Sequence, residues 1–323
     1  MPAHPGTDWD AVSVSVTHFS DPGCPWAYSA SPAHAVLQWR YRDGLAWRLV
    51  VIGLTEHAEQ YVRRGYTPGG SARGYLRFRE RGMPFATQPR ARVAGTGLAC
   101  RAIVATRLLA PEHEIAVFRA LQFGWFTTPL VLDDPDDLTV ALERVDGLDV
   151  AAVMGRLDSP EVEAAYQADR AEARTAAGSP AEAQGKTART DGPVRYTAPS
   201  LIFERDGRRL EAGGFQPVEA YDVLIANLDP ALERTPPPDD PLDALTAFPY
   251  GLTTYELAAI MTPNNGTPDP VAVEAALIDH VADGEVIREG VGDGARWAVG
   301  PHAPSRRSGQ GRTAQGPARA ARR

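Results

Sequence analysis

The chain has 323 residues, 43% of them hydrophobic and 23% charged, with a formal net charge of −8 at pH 7. That length suits one enlarged domain plus a smaller one, and the composition excludes collagenous, coiled-coil and wholly disordered chains. The acidic balance excludes general affinity for nucleic acid, which needs a clustered positive surface.

Val12-Ser13-Val14-Ser15-Val16 alternates apolar and polar residues and breaks at Ser20-Asp21-Pro22-Gly23, which predicts a first strand and a turn ending on Cys24. Apolar positions Trp26, Ala30, Ala33, Leu37 and Tyr41 then recur at three- and four-residue intervals, and Pro25 suits a first helical turn. A helix over 25–41 is predicted, with Cys24 at its N-terminus. Asp43-Gly44 ends it, and the apolar run 47–52 predicts a buried parallel strand.

Helical periodicity dominates 55–189, with segments at 91–109, 113–125, 135–144, 150–157 and 160–177. Residues 200–204 and 209–212 around Arg205-Asp206-Gly207 predict a hairpin, followed by a helix over 217–227. The proline-rich stretch 234–241 predicts an extended spacer. Beyond it, the capping box Thr253-Thr254-Tyr255-Glu256 opens a helix to residue 261, a second helix covers 271–282, and strands at 285–288 and 296–299 form a hairpin. Two helices and a β-wing are similar to a winged-helix module over 242–300. Its second helix carries Glu274, Asp279 and Asp283 but no Arg or Lys, so docking, including a homodimer, is expected rather than DNA binding. The remainder, 301–323, is arginine-rich without acids and predicts a disordered basic tail.

No apolar run approaches about 18 residues, and the first ten residues lack a basic segment followed by an apolar one, so neither membrane insertion nor export is expected. The two cysteines, Cys24 and Cys100, are too few for a disulfide framework and wrongly spaced for a zinc site of cysteine pairs; a reducing, cytoplasmic compartment is expected. Gly185-Lys186-Thr187 lacks the earlier glycine of a phosphate loop, Pro180 standing there, so nucleotide binding is rejected.

A thiolate at a helix N-terminus is stabilised by unpaired N–H groups and the helix dipole, which predicts a Cys24 pKa below the ordinary value of about 8.5. Trp26 and Tyr28 could wall an apolar slot or simply pack in a core. Asp21 could cap the helix or accept a proton, capping being preferred. His18, on the opening strand, could tune the thiol if its ring reached it. Nine arginines between Arg63 and Arg101 could hold an anionic ligand or form a solvated face paired with acids.

Phe19-Ser20-Asp21-Pro22-Gly23-Cys24-Pro25-Trp26 resembles the active-site segment of the DsbA-like thioredoxin-fold family, in the branch with Asp-Pro-x-Cys-Pro-Trp. The resemblance covers about 13–233 and implies an α/β thioredoxin-like fold with a large helical insertion at about 55–189. It also implies a cis peptide at Ala198-Pro199, which would turn the Ala198 backbone toward Cys24 for pairing with an extended substrate. Cys24, Pro25 and Pro199 are then the expected catalytic residues, with Asp21, His18, Trp26, Tyr28 and Ala198 around the substrate.

The family's second cysteine is replaced by Ala27, so a Cys-x-x-Cys pair cannot resolve an adduct. The expected function is monothiol disulfide oxidoreductase chemistry, with Cys24 freed by a low-molecular-weight thiol such as mycothiol or glutathione and no tightly bound cofactor or metal. Small thiols or disulfides, and protein thiols, are the expected partners. Cys100, in an apolar helical stretch, is read as a small hydrophobe rather than a resolver. The alternatives are a thiol-dependent transferase or isomerase of the kappa glutathione transferase or chromene-carboxylate isomerase type, and a non-catalytic adaptor.

Overall fold

The computed structural model describes residues 13–303, so the expected basic tail lies, from residue 304 on, outside the described residues. The chain opens with β1 (Val14–Ser20), α1 (Pro25–Ser29), α2 (Ser31–Tyr41) and β2 (Leu45–Val51), and β1 and β2 pair in parallel, a β-α-β start. The single helix predicted over 25–41 is two, because Pro32 cannot donate a helical N–H and the turn breaks at Ala30.

Helices α3 (Ala58–Arg63), α4 (Pro68–Phe78), α5 (Gly97–Leu109), α6 (Glu114–Thr127), α7 (Pro135–Leu142), α8 (Val150–Met154), α9 (Pro160–Ala173) and α10 (Pro180–Ala183) form the insertion. Ser159 caps α9 on the Val162 N–H, with Pro160 in its first turn, as the sequence predicts. The ribbon β3 (Thr187–Ala188) with β4 (Arg195–Tyr196) carries no alternation long enough to be read beforehand.

The sheet is completed by β5 (Ser200–Arg205), antiparallel to β1, and β6 (Arg208–Gly213), giving the order β2-β1-β5-β6. The hairpin turns on Asp206 (φ 51°) and Gly207 (φ 74°), the left-handed pair that a two-residue hairpin loop requires. With α11 (Val218–Leu228), this mixed sheet under flanking helices is a thioredoxin-like arrangement. β1 is buried on both faces. Its alternation sends Val14, Val16 and His18 one way and Phe19 the other, toward Cys24, Ala27, Val50 and Ile202.

The C-terminal part comprises α12 (Pro241–Leu245), β7 (Leu252–Thr253), α13 (Thr254–Ile260), α14 (Pro270–Ala282), β8 (Val286–Val291) and β9 (Gly294–Val299), with strand order β7-β9-β8. The Thr253–Glu256 capping box is present as read. α12 and β7 add a helix and a strand to the predicted pair of helices and wing. The module shares one core with α2, where Ala35, Val36 and Trp39 pack with Leu257, Ile260 and Leu277. The proline-rich stretch is tied down rather than free-standing: Thr235 N–H donates to the Arg40 carbonyl (2.7 Å) and Trp39 Nε1 to the Pro236 carbonyl (2.8 Å).

The tip of the β8–β9 hairpin also fastens the segment after α4. Asp293 accepts the Phe85 N–H (2.7 Å) and pairs with Arg79 (2.6 Å). Asp293→Ala leaves that N–H without its acceptor and Arg79 with the Phe85 carbonyl alone (3.0 Å), and we expect a loss of about 1 to 2 kcal/mol, measured by urea denaturation. No change in midpoint would refute the anchoring role.

Candidate active site

Cys24 is the N-cap of α1 and lies 6% exposed, with Pro25 as the first helical residue. Its N–H donates to the Asp21 carbonyl (3.2 Å), closing the turn after β1. Gly23 is required there, since a Cβ would come 2.6 Å from the Thr96 methyl and 3.0 Å from the Trp125 ring.

The Cys24 thiol donates to the Ala198 carbonyl at 3.1 Å, and the Ala198-Pro199 peptide is cis. Thus the turn after β1 and the loop before β5, 174 residues apart in sequence, meet at one sulfur. Both lie next to strands that pair with each other, Phe19 opposite Ser200.

The expected depression of the Cys24 pKa is not found: the thiol is pushed up to about 12. Burial is the largest cause; the Ala27 and Trp26 N–H groups and Arg195 pull it down, and the Asp21 carboxylate pushes it up. The helix-terminus effect therefore exists, but a five-residue helix and two N–H groups do not offset desolvation. At rest Cys24 is a neutral donor.

Three further expectations are corrected. Tyr28 is fully buried, stacked on Phe126 (4.8 Å) with its hydroxyl donating to the Pro84 carbonyl (3.1 Å), so it belongs to the insertion core and walls no slot. His18 faces away from Cys24, its ring 4.6 Å from that of His34. Asp21 does not cap α1, which has no side-chain cap. Instead its buried carboxylate accepts from Gly23 N–H (2.9 Å), Leu54 N–H (2.8 Å) and the Thr96 hydroxyl (3.1 Å), joining the first turn to the insertion. Burial pushes the Asp21 carboxyl up despite these donors.

Trp26 is 43% exposed and borders the same cavity as Cys24, edge-on to Phe78 (5.0 Å) with the Arg81 guanidinium over its ring (4.5 Å). That cavity holds about 610 Å³ and is walled by aromatic side chains, Tyr61, Tyr66 and Trp125 among them. Four arginines reach it: Arg64, Arg90, Arg92 and Arg195. Arg92 is answered by Asp133 and Arg195 stands 3.6 Å from Asp191. Arg64 donates to the Thr190 carbonyl (3.2 Å), and Arg90 to the Leu130 carbonyl (2.8 Å) and Tyr75 hydroxyl (3.3 Å), with no carboxylate on either among the described residues. Of the arginine cluster read from the sequence, Arg79 and Arg101 are instead paired with acids. Arg195, which the sequence reading missed, carries no local signal; the β3–β4 ribbon brings it to the site.

Cys100 is fully buried on α5, with its sulfur 3.7 Å from Asp21 Oδ2, and both cysteines are free thiols. Among the described residues no cluster of His, Cys, Asp and Glu could hold a metal ion, and no helix is long and apolar enough to cross a membrane.

No family model matches the chain, and no curated protein does. Similar solved structures do exist. The cytosolic disulfide reductase DsbM of Pseudomonas aeruginosa is 20% identical, over 67% of this chain and 100% of its own, with a TM-score of 0.48. A probable DsbA oxidoreductase of Streptomyces coelicolor is 18% identical, over 69% and 92%, with a TM-score of 0.48. The oxidoreductase DsbA of Xylella fastidiosa is 18% identical, over 68% and 89%, with a TM-score of 0.39. These solved structures are described as a disulfide reductase and as DsbA oxidoreductases.

Proposed function

We propose that the chain is a thiol–disulfide oxidoreductase working through Cys24 alone and turned over by a low-molecular-weight thiol, as a reducing cytoplasm supplies. The observation that carries this is the Cys24 sulfur, 3.1 Å from the Ala198 carbonyl before cis-Pro199, on the wall of a cavity with two arginines that have no carboxylate partner among the described residues.

An extended substrate whose N–H takes the Ala198 carbonyl removes the acceptor of the Cys24 thiol, withdrawing one interaction that holds it neutral. Cys24 Sγ then gives up its proton and attacks one substrate sulfur; the new S–S bond forms as the old one breaks, and the departing sulfur takes the proton. A small thiol attacks the Cys24 adduct, restores the Cys24 thiol and leaves in a mixed disulfide, which a second round with another thiol reduces fully. Arg64 and Arg90 suit a carboxylate on that small thiol, as glutathione carries.

Intact-mass analysis after glutathione disulfide treatment tests this. The wild type and Cys100→Ser should each gain one adduct, and Cys24→Ser none. An adduct that survives Cys24→Ser overturns the proposal, and an internal disulfide needing both cysteines would make Cys100 the resolver. The pair Arg64→Gln with Arg90→Gln should slow reaction with glutathione disulfide about tenfold, while the uncharged 2-hydroxyethyl disulfide reacts as before.

A second reading has one observation in its favour: a thiol held neutral is a better hydrogen-bond donor to a bound thiolate than a nucleophile. A transferase or isomerase of this kind would bind reduced glutathione saturably and form no Cys24 adduct.

A further inference from the structure

On the side of β1 turned away from the Cys24 sulfur, β1, β2, α2, α6 and the C-terminal module line an open cleft of about 790 Å³ that also reaches Ala27 of α1. Five residues on its wall hold polar atoms that are shut off from solvent and lack hydrogen-bond partners among the described residues. These atoms are His18 Nε2, His34 Nε2, Trp47 Nε1, Arg119 Nε and both amide atoms of Gln122. Gln122 is 1% exposed, Arg119 and His34 7%, and His18 9%. A buried polar atom left unpaired costs about 1 to 3 kcal/mol, and about nine in ten are paired in folded proteins. The residues that carry them line one cleft; the atoms themselves do not open onto it, and rotation of the His and Gln groups would turn theirs toward an occupant.

The chemistry of the wall narrows the ligand. Its charges are answered within the protein: Arg119 by Glu256 (2.7 Å) and Arg48 by Glu172 (2.8 Å), while Arg42 adjoins Asp43 and lies over the Trp39 ring (3.7 Å). Both imidazoles are neutral at pH 7, since burial lowers His18 to about 4 and, with His18 and Arg119 nearby, holds His34 well below its ordinary value. The site therefore offers hydrogen bonds without net charge. Trp47 and Arg119 Nε only donate, the Gln122 carboxamide donates and accepts, and each neutral imidazole does one or the other according to its tautomer. The rings of Trp47 (6.3 Å) and Phe118 (6.1 Å) stand edge-on to His18, so the walls are flat. The terminal torsions of His and Gln are soft, so rotation of those groups alone can present their polar atoms to an occupant.

We propose that this cavity is a second ligand site, independent of Cys24. Its ligand is a small, neutral, planar heterocycle or carboxamide of the nucleobase or nicotinamide class, whose amide edge pairs with the Gln122 side chain.

Calorimetric titration with nicotinamide, its anionic counterpart nicotinate, and uracil tests the assignment. Nicotinamide or uracil should bind saturably, nicotinate at least tenfold more weakly. Gln122→Leu should weaken binding at least tenfold while keeping or raising the melting temperature, because it deletes two unpaired buried atoms. If Gln122→Leu fails to fold, Trp47→Phe, which keeps a ring and removes one donor, should weaken binding in its place. Cys24→Ser should bind like the wild type. No saturable binding by any probe at millimolar concentration would make the cavity a water site only and overturn the proposal. Nicotinate binding as tightly as nicotinamide, or binding lost in Cys24→Ser, would overturn it equally.

Discussion

Glu256→Ala is expected to lower the stability of the whole chain by about 3 to 5 kcal/mol, the cost of orphaning a buried ion-pair partner. Glu256 is 1% exposed at the start of α13, and its carboxylate joins two structural tasks. It closes the capping box, accepting the Thr253 N–H (2.8 Å) and hydroxyl (3.0 Å), and it receives the Arg119 guanidinium from α6 (2.7 Å). Removing it leaves a cation in a site 8% exposed at its side chain, beside Phe123 and Tyr250, which a ring face compensates only in part. The double replacement Arg119→Met with Glu256→Leu should recover most of the loss, because apolar side chains of similar volume often replace a buried pair without penalty. Guanidinium unfolding of the three proteins decides this. A loss under about 1 kcal/mol for Glu256→Ala would mean the pair is not what joins the C-terminal module to the insertion.

The legible parts of this protein are those whose signals are local. The strand–turn–Cys24-Pro25 sequence, the Ser159 cap, the Asp206-Gly207 turn and the Thr253–Glu256 box each rest on residues within a few positions of one another, and each is present. The cis peptide at Pro199 was legible only through the family resemblance. What failed was the facing of Tyr28 and His18, whereas Trp26 borders the Cys24 cavity and Cys100 is buried as read. Tyr28 lies beneath Phe85 and Phe126, which arrive from the insertion. His18 and Phe19 are adjacent, so if one faces the Cys24 side the other cannot, a parity that the alternation of β1 already contained. The cavity behind the sheet was not legible, because His18, His34, Trp47, Arg119 and Gln122 are assembled from β1, α2, β2 and α6 by topology alone. The reactivity of Cys24 was misread for an energetic reason: position at a helix start was weighed without burial, and burial is the larger effect.

That correction carries a kinetic consequence: Cys24 in the resting protein should be alkylated by iodoacetamide on the order of a hundredfold more slowly than a free cysteine at pH 7. A pKa of about 12 reduces the thiolate fraction by roughly three thousandfold relative to an ordinary value of about 8.5. The more basic sulfur is intrinsically more nucleophilic, which returns about fortyfold for a Brønsted slope of 0.4 to 0.5. The sign of the pH dependence follows from the raised value. The rate should climb about tenfold per unit from pH 7 upward without levelling before the protein unfolds, whereas a free thiol levels just above about 8.5. Arg195 pulls the thiol pKa down, so Arg195→Met should slow alkylation further at every pH. Quenched-flow alkylation read by mass, with Cys24→Ser to subtract any reaction at Cys100, measures all three. A rate already level at pH 7 would mean that Cys24 rests as a thiolate and that burial does not hold it neutral.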